Sequence, residues 1–376
     1  MITTKGISRF ALVLALSATI LAGCDSDSPT SPNSSSGGGI FIITGDFNTG
    51  STAFLAPDAL TADINLLTVH GDAVARAFDG KVYVVNRLGA DNILVLDQSD
   101  LRTPLIQFSV GNGSNPQDIE VVSAAKAYVT GLARADVAIF NPQDGSELGS
   151  IDLSAFADGD GLPELTQMAQ AGSFLYVLAQ RLENFAPVDV SYLVVIDTNT
   201  DSVIDMDANT DGVQAVVLAA PNPNGIVVVG SKLIVSQVSA FLDRSGGIEV
   251  FELAADGALG SSQGLVVDEQ MLDGDINGIA MVDENSGFAL ISDENFANFV
   301  TPFDLATGVV GERLSDLSTG FIQSMEVDGD RLIVGDRGTF DRPEASGLMI
   351  FDVNTKQVLA GPISTGLPPA SIVILE

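Results

Sequence analysis

An all-β fold, specifically a seven-bladed β-propeller, is predicted from three features of the sequence. One hairpin pattern recurs seven times. The strand missing before the first hairpin reappears at the C-terminus. The length also suits one large repeat domain, since 376 residues with 46% hydrophobic content supply an ample core. The pattern is clearest in "KVYVVNRLGADNILVLD" from Lys81: an alternating strand, a polar loop, then an apolar run ending in an acid. Equivalent strands begin at Ile40, Lys81, Lys126, Phe174, Lys232, Phe288 and Arg331, at spacings of 41 to 58 residues, as blades with loop insertions require. Tyr83, Tyr128 and Tyr176 share one register. Turn-rich stretches such as "NPQDG", "DTNTD" and "DVNTK" follow the second strand of a hairpin and lead into a weaker outer strand.

Each hairpin after the first is preceded by an inner strand: "DAVARAF", "PQDIEVV", "LTQMAQA", "GIVVV", "NGIAMV" and "IQSMEV". The seventh copy, "PASIVILE", ends the chain at Glu376. Its pairing with the N-terminal hairpin closes the ring and removes the open sheet edges. "NPQDIEVVSAAKAYVT" and "KVYVVNRLGADNILVLD" resemble the YVTN-type propeller repeat of bacterial surface and periplasmic proteins. The match is good over residues 72–200 and looser over 220–376. The resemblance implies a scaffold fold and hardly narrows the activity. Tryptophan-aspartate repeats fit poorly, because the chain has no tryptophan.

The N-terminus reads as an address. Lys5 and Arg9 precede a short apolar run from Phe10 to Ile20, too short to span a bilayer comfortably. Leu21-Ala22-Gly23-Cys24 resembles the bacterial lipobox, which implies cleavage before Cys24 and lipidation of its thiol. Residues 1–23 are therefore expected to be a signal peptide, residues 24–39 a lipidated cysteine with a disordered Ser/Gly/Pro tether, and 40–376 the propeller. The expected location is the extracytoplasmic face of the cell envelope, with the outer membrane favoured. Asp25 resembles an inner-membrane retention signal and keeps that alternative open.

Composition removes several functions. With formal charge −33, the surface repels nucleic acid and anionic headgroups, so the membrane is expected to be met through the lipid anchor alone. A single cysteine forms no internal disulfide and no CxxC zinc site, and one histidine supports no His-based metal centre. No CxxCH is present, so covalent haem is excluded, and neither haem nor pyrroloquinoline quinone is expected. His70, beside Asp72, would need a nucleophile to act as a base; Ser114 lacks a nucleophile-elbow motif.

Propeller topology gathers the loops between second and third strands on one face with those leading to the next inner strand; this is the top face. Arg87, Arg134, Arg181, Arg244, Arg337 and Arg342 fall there, whereas Lys81, Lys126, Lys232, Arg331 and Lys356 fall at the opposite end. Arg87, Arg134, Arg181 and Arg337, with Asp72, Asn115 and Asp118, are candidate ligand-binding residues, because guanidinium forks suit carboxylate or phosphate. The plainer reading pairs each arginine with nearby blade acids such as Asp91, Asp136, Glu183, Asp336 or Asp341.

Two acidic loops are candidate calcium sites. "DMDANTDG" sets Asp205, Asp207, Asn209 and Asp211 at alternate positions and resembles the first half of a calcium loop, but position twelve from Asp207 is Leu218, not glutamate. A plain Asx-rich loop is its rival. "DGDGLPE" offers Asp158, Asp160 and Glu164 as a second set. The function expected is a binding or scaffold module for a protein, glycan or small anionic ligand at the top face. The alternative is a divalent-cation-dependent propeller hydrolase or lactonase, with Asp72, Asp118, Glu164 and Asn277 converging on the axis.

Overall fold

A computed structural model describes residues 38–376, which form the seven-bladed propeller that the repeats predict. Six blades are four-stranded sheets. The fourth blade has five strands, and a two-stranded ribbon, Leu182–Glu183 with Ala186–Pro187, rises from its loop. The expected signal peptide, Cys24 and nearly all of the tether lie outside the described residues. Among the described residues no helix is long and apolar enough to cross a membrane.

The middle strands explain why the chain forms blades. Lys81–Asn86, Lys126–Gly131 and Phe174–Ala179 are buried on both faces after their first residue, because each sheet packs against a neighbouring blade on either side. Their β-branched and aromatic residues fit that setting, while outer strands such as Glu147–Asp152 are mostly exposed. The shared tyrosine register has a physical use. Tyr128 Oη donates to Asp201 of the next blade and Tyr176 Oη to the Gly257 carbonyl of the next. Lys126 Nζ reaches the Thr198 carbonyl at 2.8 Å, and Lys232 Nζ reaches Asn285 Oδ1 at 2.7 Å. The lysines at the lower end thus tie blade to blade.

Closure occurs as expected. Pro369–Leu375 is the inner strand of the first blade and pairs antiparallel with Gly39–Gly45, aligning Ile372 with Ile42 and Ile374 with Ile40. The Gly38 N–H donates to the Leu375 carbonyl at 2.6 Å, so the sheet begins one residue before the boundary expected. Inner strands Ala73–Phe78, Pro116–Ser123, Leu165–Ala171, Pro223–Val229, Asp275–Met281 and Ile322–Asp328 complete the wall around the axis.

Candidate functional site

The charges nearest the axis are spent on one another. Asp118 is fully buried, and its carboxylate receives a fork from Arg76: Nε to Oδ1 at 2.7 Å and Nη2 to Oδ2 at 2.6 Å. The N–H groups of Ile119 and Met168 donate to the same carboxylate at 2.9 and 2.8 Å. Arg76 also lies 2.7 Å from Glu120 Oε2 and donates to the Met168 carbonyl at 2.6 Å. Burial pushes Glu120 up to about 7, against the pull of Arg76. Asp118 thus ties the second, third and fourth blades together. Arg76 was not among the residues expected from sequence, yet one basic side chain inside "DAVARAF" was a legible signal.

The top-face arginines are likewise engaged, and seldom with the acids nearest in sequence. Arg87 donates from Nη2 to Asp72 Oδ1 at 2.5 Å, from Nε to the Asp72 carbonyl at 3.0 Å and from Nη1 to Gln117 Oε1 at 3.0 Å. Asn115 Oδ1 accepts from the Leu88 N–H at 3.2 Å, joining the same cluster, and the Asp72 N–H donates to His70 Nδ1 at 3.2 Å. Asp91 instead receives the Gly113 and Asn115 N–H groups. Arg134 forks onto Asp136 at 2.9 Å on both arms. Arg181 donates to the Val190 carbonyl at 2.8 Å and lies 4.9 Å from the Tyr192 ring centre.

Arg337 differs from the rest. It donates to three neutral acceptors, Gln323 Oε1, the Pro369 carbonyl and the Gly45 carbonyl, and lies 4.5 Å from the Phe47 ring centre. Burial lowers it to about 10. It contacts no carboxylate among the described residues. Asn277 donates to Ser292 Oγ and so serves its own blade.

The two acidic loops behave differently. Asp205 and Asp207 turn oxygens onto the N–H groups of Asp207, Gln214 and Asn209, and Asp207 also accepts from Thr210 Oγ1; Asn209 donates to Asp207, and Asp211 gives its carbonyl to Gln214. Those exposed side chains do not gather as a metal-ligating group. Asp158, Asp160 and Glu164 do, with one carboxylate oxygen of each within 4.8 Å of the others.

The rim carries what the sequence reading missed. Phe47 (49% exposed), Leu88 (61%), Phe185 (76%), Leu242 (48%) and Phe296 (65%) all sit in loops between second and third strands, and Phe340 (102%) occupies the matching loop of the last blade. The first five also hold left-handed backbone, with φ between 48° and 71°. Bulky side chains rarely adopt that conformation, which costs on the order of 1–2 kcal/mol each. The loops are firmly held nonetheless. Asp275 receives the Leu242 N–H on both oxygens at 3.1 Å, and Glu269 Oε2 receives the Gly246 N–H at 2.9 Å. Phe241 stacks on Phe296 of the next blade with ring centres 5.0 Å apart. An exposed acid accompanies each rim phenylalanine, as Asp46, Glu183, Asp243, Glu294 and Asp341.

No family model and no curated protein matches the sequence. Solved structures match the fold. A protein assigned as a 6-phosphogluconolactonase from Bacteroides uniformis is similar at TM-score 0.61 and 11% identity, covering 90% of this chain and 99% of that one. Its counterpart from Bacteroides fragilis is similar at TM-score 0.59 and 14% identity, covering 92% and 100%. Apo AztD from Citrobacter koseri is similar at TM-score 0.53 and 12% identity, covering 89% and 97%. At such identities the likeness is one of fold, and the class is a seven-bladed β-propeller.

Proposed function

We propose that this chain is a lipid-anchored propeller of the bacterial envelope, built on a YVTN-like repeat, whose top-face rim docks a protein partner. The observation that carries the reading is the set of exposed large apolar residues on the rim, five of which, Phe47, Leu88, Phe185, Leu242 and Phe296, hold left-handed backbone. Exposure of large apolar side chains on successive loops costs solvation, and the backbone cost adds to it; partner contact recovers the first. Aromatic anchors of this kind dominate protein interfaces. The acids beside each phenylalanine fit a partner whose apolar contacts are flanked by Lys or Arg. The pairing of Arg87 with Asp72 and of Arg134 with Asp136 favours this reading over a small anionic ligand on those forks.

The hydrolase alternative has a specific difficulty. Asp72 and Asp118, two of the carboxylates it would need on the axis, are each bound by an arginine. The likeness to lactonase-assigned propellers supports that alternative at the level of fold alone.

The docking reading is tested by photo-crosslinking in the envelope of the source cell. A photoreactive residue at Phe296 or Phe340 is expected to capture one defined protein, and the same group at Lys356, on the opposite face, is expected not to. Equal capture from both faces would refute it.

A further inference from the structure

We infer that Asp158, Asp160 and Glu164 form a calcium site that ties the fourth blade's entry loop to the ribbon carrying Phe185. Each carboxylate spends one oxygen on a loop N–H: Asp158 Oδ1 accepts from Asp160, Asp160 Oδ1 from Leu162, and Glu164 Oε2 from Leu182, at 3.1, 2.9 and 2.9 Å. The second oxygen of each is left over. One of these has nowhere else to go: Asp158 Oδ2 is fully buried and accepts no hydrogen bond, while Glu164 beside it is only 7% exposed. A buried carboxylate oxygen without a donor is expensive, and three carboxylates sharing one place repel. A divalent cation resolves both.

The chemistry selects the ion. All donors are oxygens and no histidine or cysteine takes part, which suits a hard cation rather than zinc or copper. A spread of 4.8 Å is what two Ca–O bonds of about 2.3–2.6 Å span, and exposed Asp160 leaves room for water. Calcium tolerates such irregular geometry, whereas magnesium demands a closer octahedron.

A fourth carboxylate stands ready. The position of a Cβ on Gly159 lies 2.4 Å from Glu183 Oε1, so the Glu183 carboxylate sits over the loop. Glu183 belongs to the same ribbon as Phe185, and Leu182 already donates to Glu164. An ion held by the entry loop therefore also fixes the ribbon.

The test is calorimetric titration of the full chain with calcium alone and with magnesium alone, together with thermal unfolding in EDTA or millimolar calcium. One calcium per chain and a raised midpoint are expected. Glu164→Gln keeps the shape and the Leu182 contact while relieving repulsion, so it should fold at least as well as wild type in EDTA. It should weaken calcium binding by about tenfold or more, as should Asp158→Asn. Asp207→Asn, in the other acidic loop, should change nothing. Absence of a calcium-dependent shift, or an undiminished shift and affinity in Glu164→Gln, would overturn the site.

Discussion

Arg76 and Phe296 lie in one propeller and are built on opposite principles. At the axis, Asp118 collects four donors from three blades and is fully buried. On the rim, Phe185 and Phe296 stand in solvent on strained backbone, and the carboxylates of the fourth blade keep oxygens in reserve. Satisfied polar groups specify a fold, while unsatisfied and exposed ones mark where something else binds. The difference teaches that the conspicuous charge of Arg76 and Asp118 near the axis is structural in this molecule, and it is the basis for proposing the rim as the recognition surface.

The largest expected effect breaks the axial side of that contrast. Asp118→Ala leaves Arg76 with Glu120 and the Met168 carbonyl alone and orphans the Ile119 and Met168 N–H groups, and should cost about 3 kcal/mol in urea unfolding. Arg76→Met combined with Asp118→Leu and Glu120→Leu should recover part of that loss, because apolar packing replaces the whole buried charge cluster and leaves no carboxylate unpaired. If the triple variant were as unstable as the single one, the axial charges would have a role beyond stability. Next in size, Tyr176→Phe removes the contact between the fourth and fifth blades and should cost about 1 kcal/mol, read from the urea midpoint.

A smaller effect comes from pH. Burial raises Glu120 to about 7 and Glu269 to about 8, above their ordinary value of 4.5. The folded chain therefore holds protons that the unfolded chain has released, and stability falls as pH rises between those values. The contribution is full below about 4.5 and lost by about 8, so the unfolding midpoint should drop from pH 5 to pH 8. Carboxylates held low, such as Asp352 and Asp304, act below that window and do not mask it. Glu269→Gln should flatten the drop. The smallest effect belongs to the rim. Phe296→Gly removes a side chain exposed to solvent and relieves its left-handed backbone, so stability should stay within about 1 kcal/mol of wild type or rise.

Much of the fold was legible because blade formation depends on local pattern. Alternation in "KVYVV", turn residues in "DTNTD" and a displaced copy in "PASIVILE" each report on nearby residues or on simple counting. The partners of the arginines were not legible. Arg87 passes over Asp91 and takes Asp72, fifteen residues earlier, because closure of the blade brings inner-strand ends beneath the loops. The acidic loops ranked in reverse for a similar reason. Asp207 has the better calcium-loop spacing but folds its oxygens onto its own turn, while "DGDGLPE" gains its third ligand and buried setting from packing against the ribbon. The rim phenylalanines were in view in "QRLENF", "SDENFANF" and "GDRGTFDRP". Those loops were read for their charges, and sequence alone does not say that a phenylalanine between acids will point outward.

The measurement that bears most directly on the contrast combines Phe241→Ser, Phe296→Ser and Phe340→Ser in one chain and follows urea unfolding and partner capture on the same preparation. An unfolding midpoint close to wild type with capture abolished is the predicted result. Capture undiminished in a folded triple variant would contradict the assignment of recognition to the rim, and loss of folding would show that these side chains belong to the scaffold after all.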